Sequence, residues 1–323
     1  MTVAVVFTGG TIASRVDPSA GGALPVLHGG EILARTDGLA AIAPVEAIDW
    51  GLVPASHMGF VQIIDIARLL EATLDRPDVA GAVVVQGTDT LEETSFAFDL
   101  LLRSDKPVVV TGAMRTASEP DWDGPANLLD AVACASSPAL AGQGTVVVLD
   151  GRIIGADEAV KTHASALDTF QPREGDVLGD VRGGVVDVRR QREPVRLRSM
   201  PLEAAEPVFL VTVATGMDGA LIRGVGTKPP PGLVVAATGS GNTHPDVLAA
   251  ARELMDEGTV VVLTTRCAGG SVAPSYAFPG GGAQWARAGV LMSRLAATKA
   301  RIALGLGLGA GLTGEELRAV LRA

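Results

Sequence analysis

The sequence predicts an α/β protein: a larger N-terminal domain on a doubly wound, mainly parallel sheet, then a smaller C-terminal α/β domain. Three observations carry this. Short β-branched runs alternate with longer segments of helical periodicity. Most of the short runs are apolar throughout, as strands are when both faces of a parallel sheet are covered. One stretch then breaks the alternation: Arg189-Arg190-Gln191-Arg192-Glu193-Pro194, followed by Arg196, Arg198 and Pro201, is polar and holds no strand-length apolar run. It reads as a solvated linker, because nothing aromatic is interleaved with its charges. The expected division is 1–190, a linker over 191–206, and 207–323.

Taken in order, the expected strands are Val3–Phe7, Gly81–Val85, Val108–Thr111, Val146–Leu149, Phe209–Val213, Leu233–Ala236 and Val260–Thr264. The expected helices are Gln62–Leu74, Glu92–Leu102, Asn127–Ser136, His244–Glu257 and Leu291–Leu304. Ile63, Ile66, Ala67 and Leu70 line one face of the first helix at the spacing an amphipathic helix requires. The fourth begins near Thr243, with Pro245 in its first turn and Gly258 as its stop.

Composition limits the function classes. The chain has 323 residues, 47% of them apolar and only 3% aromatic, so Val, Leu, Ile and Ala fill the core. A net charge of −10 argues against a nucleic-acid groove and an anionic membrane surface. No run reaches the ~18 apolar residues of a membrane span, and no basic leader with an apolar stretch opens the chain. A cytoplasmic protein is the expectation. Cys134 and Cys267 lie far apart without metal-ligand neighbours and read as buried thiols. His28, His57, His163 and His244 show no metal spacing either, so no metal is expected.

Two polar turns carry the chemistry. The first strand breaks into Thr8-Gly9-Gly10-Thr11-Ile12-Ala13, and the strand ending at Val85 breaks into Gln86-Gly87-Thr88-Asp89-Thr90. A parallel sheet brings both strand ends to one edge, where α/β proteins place their sites. Neither turn has a phosphate-loop or dinucleotide pattern. Gly309-Ala310-Gly311-Leu312-Thr313-Gly314 has the dinucleotide spacing, but no strand can follow it and it reads as a helix end and turn. Taken alone, each turn could be a glycine turn or a helix cap, with Asp89 or Thr90 capping the next helix. Together they offer hydroxyls and a carboxylate. A threonine hydroxyl attacks only when a base or cation handles its proton and donors hold the oxyanion. Lysine is scarce: Lys106, Lys161, Lys228 and Lys299 are the only ones. Lys161 follows the Val146–Leu149 strand and is placed to reach the same edge.

These segments resemble the two signature motifs of bacterial-type L-asparaginases. Lys106–Arg115, Asp123-Gly124-Pro125-Ala126-Asn127-Leu128 and Val160-Lys161-Thr162 are similar to further segments of that family. Thr265–Val272 and Tyr276-Ala277 look more like its cytoplasmic type I branch. The resemblance covers nearly the whole chain. It implies two α/β domains, a homodimer or homotetramer, and cofactor-free hydrolysis of the side-chain amide of L-asparagine, or a close β-amide, to aspartate and ammonia. It implies Thr11 as nucleophile, with Thr88, Asp89 and Lys161 activating a hydroxyl or water. Backbone amides near Thr88 and Ala113 are implied for the oxyanion. Ser56, His57, Gly87, Thr88 and Asp89 are implied around the substrate, with Asp89 on its α-ammonium and Ser56 on its α-carboxylate.

The chain departs from the family pattern in three places. Ala23, in Gly22-Ala23-Leu24-Pro25-Val26, stands where a loop tyrosine is usual, and Tyr276 is the only tyrosine. His57, before Met58, stands where an aspartate is usual. Gly239-Ser240-Gly241-Asn242 replaces a loop that usually donates an acidic or amide group to a partner subunit. An alternative reading therefore stands beside the first: a weak homologue that binds an amino acid as a regulatory module, or an amidase for a different amide.

Overall fold

The apolar runs pair side by side as their uniform character requires. The computed structural model describes residues 1–225 and 228–322. The strands are β1 Thr2–Phe7, β2 Ser14–Asp17, β3 Gly22–Pro25, β4 Val45–Asp49, β5 Val79–Val85, β6 Val108–Thr111, β7 Thr145–Leu149, β8 Arg152–Gly155, β9 Ala159–Lys161, β10 Phe170–Pro172, β11 Gly179–Arg182, β12 Val185–Val188, β13 Val208–Thr212, β14 Gly232–Ala237, β15 Val260–Thr265 and β16 Leu291–Met292. The α-helices are α1 Gly29–Leu33, α2 Leu39–Ile42, α3 Phe60–Leu74, α4 Leu91–Leu101, α5 Gly124–Ser136, α6 Ala220–Arg223, α7 Pro245–Asp256, α8 Gly282–Arg287, α9 Ala297–Gly309 and α10 Gly314–Leu321. The chain divides into two compact units, Met1–Arg196 and Leu197–Ala323.

In the first unit the sheet order is β12-β11-β8-β7-β6-β5-β1-β4. From β7 to β4 every neighbouring pair is parallel. Taken alone, these five strands have the flavodoxin-like order, whose topological switch point lies where β1 meets β5. The polar turns follow those two strands. Helices α3 and α4 pack on one face, and α5 packs on the other. Val3, Val5 and Phe7 alternate along β1 into the α5 face, against Leu128, Ala131 and Val132. The remaining strands, β8, β11 and β12, are antiparallel. Asp150 and Gly151 turn β7 into β8 with both φ positive (51° and 72°), as a two-residue hairpin turn demands.

The second unit carries the all-parallel sheet β13-β14-β15-β16. The Gly309–Gly314 stretch is the end of α9 and the turn into α10. His244 caps α7, its Nδ1 accepting the Asp246 amide at 3.2 Å, and Gly258 follows the helix at φ 98°.

Three expectations are corrected. The expected helix Leu291–Leu304 starts only at Ala297; Leu291 and Met292 pair with Val262 and Leu263 as a short strand. The intervening Ser293 is buried, its Oγ donating at 2.5 Å to the Leu321 carbonyl. Cys267 is exposed, whereas Cys134 is buried as expected, and both are free thiols. The arginine-rich stretch is solvated only in part: Arg189, Arg190 and Arg198 are exposed, but Arg192 and Arg196 turn inward. The Arg192 side chain is 9% exposed, its Nη1 donating to Asp99 Oδ1 at 3.0 Å and to the Gln143 and Thr145 carbonyls at 2.8 and 3.1 Å. Its Nη2 pairs with Asp157 at 3.1 Å. Arg196 donates to the Arg103 carbonyl at 3.1 Å and to Asp105 at 3.0 Å. A guanidinium carries five donors, so one side chain ties several strand ends and a buried carboxylate. Charge along the sequence does not tell this use from solvation.

Candidate active site

The site grows from close backbone contact between the two turns. Gly9 and Gly10 have φ 108° and 87°, a region that L side chains rarely adopt. A Cβ on Gly10 would sit 2.1 Å from Gly87 N and 2.3 Å from Gly87 Cα. The first turn therefore lies directly on the second. A Cβ on Gly87 would come within 2.9 Å of Ala55 Cβ, and one on Gly112 within 3.2 Å of Thr88 Cγ2. Four segments thus converge: the turns after β1, β5 and β6, and the short 3₁₀ helix Ala55–His57. Val53 N donates to the Thr8 carbonyl at 2.8 Å, and Thr90 Oγ1 to the Ala55 carbonyl at 2.9 Å. These bonds hold the segment that carries Ser56 and His57, both exposed.

Thr11 opens a 3₁₀ turn, Thr11–Ala13, directly after Gly10. It is half-buried at the edge formed by β1 and β5. Lys161 Nζ donates to Thr88 Oγ1 at 2.9 Å and to Asp89 Oδ1 at 3.0 Å. Thr88 is buried, the Lys161 side chain is 15% exposed, and Asp89 is 70% exposed. The cation thus stands between a sheltered hydroxyl and a carboxylate open to solvent. In its neutral form a lysine there can accept a proton from the hydroxyl; in its charged form it can stabilise the oxyanion. The capping reading of the second turn is corrected: Thr90, the residue before α4, makes no side-chain cap bond. Both its hydroxyl and the Asp89 carboxylate are turned to other segments.

The lysine is aimed by its backbone. β9 pairs antiparallel with β10, Lys161 opposite Phe170. Lys161 N donates to Glu92 Oε2 at 2.7 Å. Glu92 thereby joins the helix after Thr88 to the strand that carries the lysine. Ala113 is buried beside this group, on a loop fixed by Asp123 and Asn127. Both lie in the family-like segment Asp123–Leu128, but the resemblance gives neither a role; their i,i+4 spacing at a helix start is the available signal.

Over Thr11 lies the hairpin β2–β3, in the register Ser14↔Pro25, Arg15↔Leu24, Val16↔Ala23. Opposed residues share a face, so Ala23 lies with Val16. Ala23 is exposed and no aromatic ring stands in the hairpin. Tyr276 and Gly239–Asn242 belong to the second unit. Among the described residues no group of three or more His, Cys, Asp or Glu is placed to hold a metal ion. No helix there is long and apolar enough to cross a membrane.

Comparison with known proteins spans both units. Residues 2–194 match the family model "Asparaginase, N-terminal", and 207–321 match "Glutaminase/Asparaginase C-terminal domain". A probable L-asparaginase of Deinococcus radiodurans is 36% identical, over 98% of this chain and 96% of its own length. An L-asparaginase of Bacillus licheniformis is 32% identical, over 90% of each chain. The solved structure of a probable cytoplasmic L-asparaginase from Campylobacter jejuni superposes with a TM-score of 0.84 at 26% identity, covering 99% of this chain and 98% of its own.

Proposed function

The chain belongs to the asparaginase family, and from that premise we propose how its site works. The activity is hydrolysis of the side-chain amide of L-asparagine to aspartate and ammonia. The observation that carries the mechanism is the contact of Lys161 Nζ with both Thr88 Oγ1 and Asp89, on a turn pressed against Gly10. The Thr11 hydroxyl attacks the amide carbon. A C–O bond forms, the C–N bond breaks, and the Thr11 proton leaves on ammonia. Water then attacks the threonyl ester, releasing aspartate and returning the proton to Thr11. The Thr88–Lys161 pair takes the proton from the attacking oxygen, whether that of Thr11 or of the water. The amides near Thr88 and Ala113 hold the oxyanion. Asp89 takes the α-ammonium, Ser56 the α-carboxylate, and His57 and Gly87 border them.

The proposal extends to a cytoplasmic homodimer or homotetramer acting on a small amide without a cofactor. Light scattering on the purified protein tests the assembly. Ammonia release from asparagine, glutamine and their blocked forms tests the substrate. Replacing Thr11→Ala should lower release at least ~10³-fold, since a nucleophile supplies several kcal/mol. Retained activity in that variant removes Thr11 as nucleophile.

A further inference from the structure

We propose that Asp123 and Asn127 are positioning residues for the scissile amide: they set the backbone of Ala113, without themselves touching substrate. The proposal rests on the reading of the site given above. Asp123 Oδ2 accepts Met114 N at 3.0 Å and Asp123 Oδ1 accepts Arg115 N at 2.9 Å. Asn127 Nδ2 donates to the Gly112 carbonyl at 3.0 Å and to Asp123 Oδ2 at 3.0 Å. Asn127 Oδ1 accepts Asp150 N at 3.1 Å, which fixes the amide's orientation. The two side chains thus grip the loop on both sides of Ala113, from the first turns of one helix.

Peptide geometry does the rest. In a trans peptide the C=O and the following N–H point to opposite sides. The Gly112 carbonyl points at Asn127, so the Ala113 N–H points away from it. The Met114 N–H points at Asp123, so the Ala113 carbonyl also points away. Ala113 therefore presents a donor and an acceptor together, on the side opposite the clamp. Gly112 abuts Thr88 next door. Ala113 is 0% exposed, and among the described residues neither its N–H nor its carbonyl takes a hydrogen bond. Buried backbone groups are almost always paired. A primary carboxamide is the complementary ligand: its oxygen accepts from the N–H, and its NH₂ donates to the carbonyl.

The clamp is free for this task because Asp123 does not cap its own helix. It precedes α5 without a side-chain cap bond, and Pro125 removes one of the N–H groups a cap would bind.

The test compares an amide with an ester. Asparagine offers an NH₂ to the Ala113 carbonyl; the β-methyl ester of aspartate does not. In Asp123→Ala, kcat/KM on asparagine should fall ~10-fold further than on the ester, the loss expected for one mispositioned hydrogen bond. The aspartate Kd by calorimetry should stay within about twofold, because the product has no amide to misplace. Equal loss on both substrates, or no loss on either, overturns the proposal. If Asp123→Ala does not fold, the isosteric Asp123→Asn carries the same test: it keeps one oxygen for one amide and turns its NH₂ on the other. A wild-type protein that hydrolyses neither compound would refute the reading of the site itself. If it hydrolyses both and the ratio does not move, only the assignment to Asp123 and Asn127 fails.

Discussion

The floor of the site and the hairpin above it are built in opposite ways. The floor is backbone against backbone: Gly10 on Gly87, Gly87 on Ala55, Gly112 on Thr88, with no room for a Cβ at Gly10. Its polar groups answer one another at fixed distances, and Thr88 is buried. The hairpin β2–β3 leaves Val16 55% and Leu24 42% exposed. A few backbone bonds hold it, chiefly Ala117 N to the Ser14 carbonyl and Val26 N to the Ala13 carbonyl, both at 2.9 Å. On the reading proposed above, reaction class belongs to the floor and substrate choice to the hairpin. Close-packed backbone tolerates no drift in the reacting groups, whereas an exposed hairpin can accept different side chains without disturbing them.

The largest effect is expected at Lys161, the cation between Thr88 and Asp89. Lys161→Met should lower ammonia release at least ~10³-fold, with little change in thermal midpoint, since a half-buried methionine keeps the stem's packing. Activity within tenfold of the wild type would break the assignment of chemistry to the floor.

Next comes the support beneath it. Asp99 lies on α4, the helix that follows the turn carrying Thr88 and Asp89, and its carboxylate is buried against Arg192. Burial pushes the Asp99 carboxyl up, and Arg192 opposes that push. Arg192→Leu leaves the carboxylate uncompensated and should cost about 3–5 kcal/mol in urea unfolding at pH 7. The sign with pH follows. A carboxyl raised above its unfolded value binds protons more tightly in the folded state, so stability falls as pH rises between the two values. The variant's deficit should therefore shrink on going from pH 7 toward pH 5. A deficit constant over that range would mean that Asp99 is not its source.

A matched pair of glycine substitutions then probes the contrast itself. Gly10→Ala should cost about 3 kcal/mol or more, through positive φ and collision with Gly87. Gly22→Ala, in the hairpin, meets nothing within 4 Å and should stay within about 0.5 kcal/mol of the wild type. Comparable losses at the two positions would erase the distinction between floor and hairpin.

How far the sequence spoke follows the same line. The strand ends that carry Thr11 and Thr88 were legible because uniform apolar runs stop abruptly at glycine and threonine. The parallel order then brings them to one edge. Lys161 stood out by scarcity. The antiparallel strands β8, β11 and β12 were missed because they are short; the Asp150-Gly151 turn was a hairpin signal left unread. At Leu291 the sequence predicts helix where a short strand stands, because apolar residues alone do not separate a strand from a buried helical turn. The inward turn of Arg192 had no local signal, since its partners Asp99 and Gln143 lie 93 and 49 residues away. The clamp of Asp123 on Met114 and Arg115 spans only 9 and 8 residues. It stays hidden because the expected helix starts only at Asn127, which leaves Asp123 outside it with no assigned partner.

The smallest effect is expected where the hairpin is tied to the Ala113 loop. Val16 N donates to Ser118 Oγ at 3.0 Å, a side-chain latch from that loop onto β2. Ser118→Ala leaves an exposed amide that water can satisfy, so the stability cost should stay below about 1 kcal/mol. Its kinetic trace should lie in KM, by a factor of a few, with kcat unchanged, because the floor keeps its geometry without the latch. Aspartate binding by calorimetry should weaken by the same factor. A fall in kcat at unchanged KM would place the hairpin in the chemistry itself, and the division between floor and hairpin would have to be redrawn.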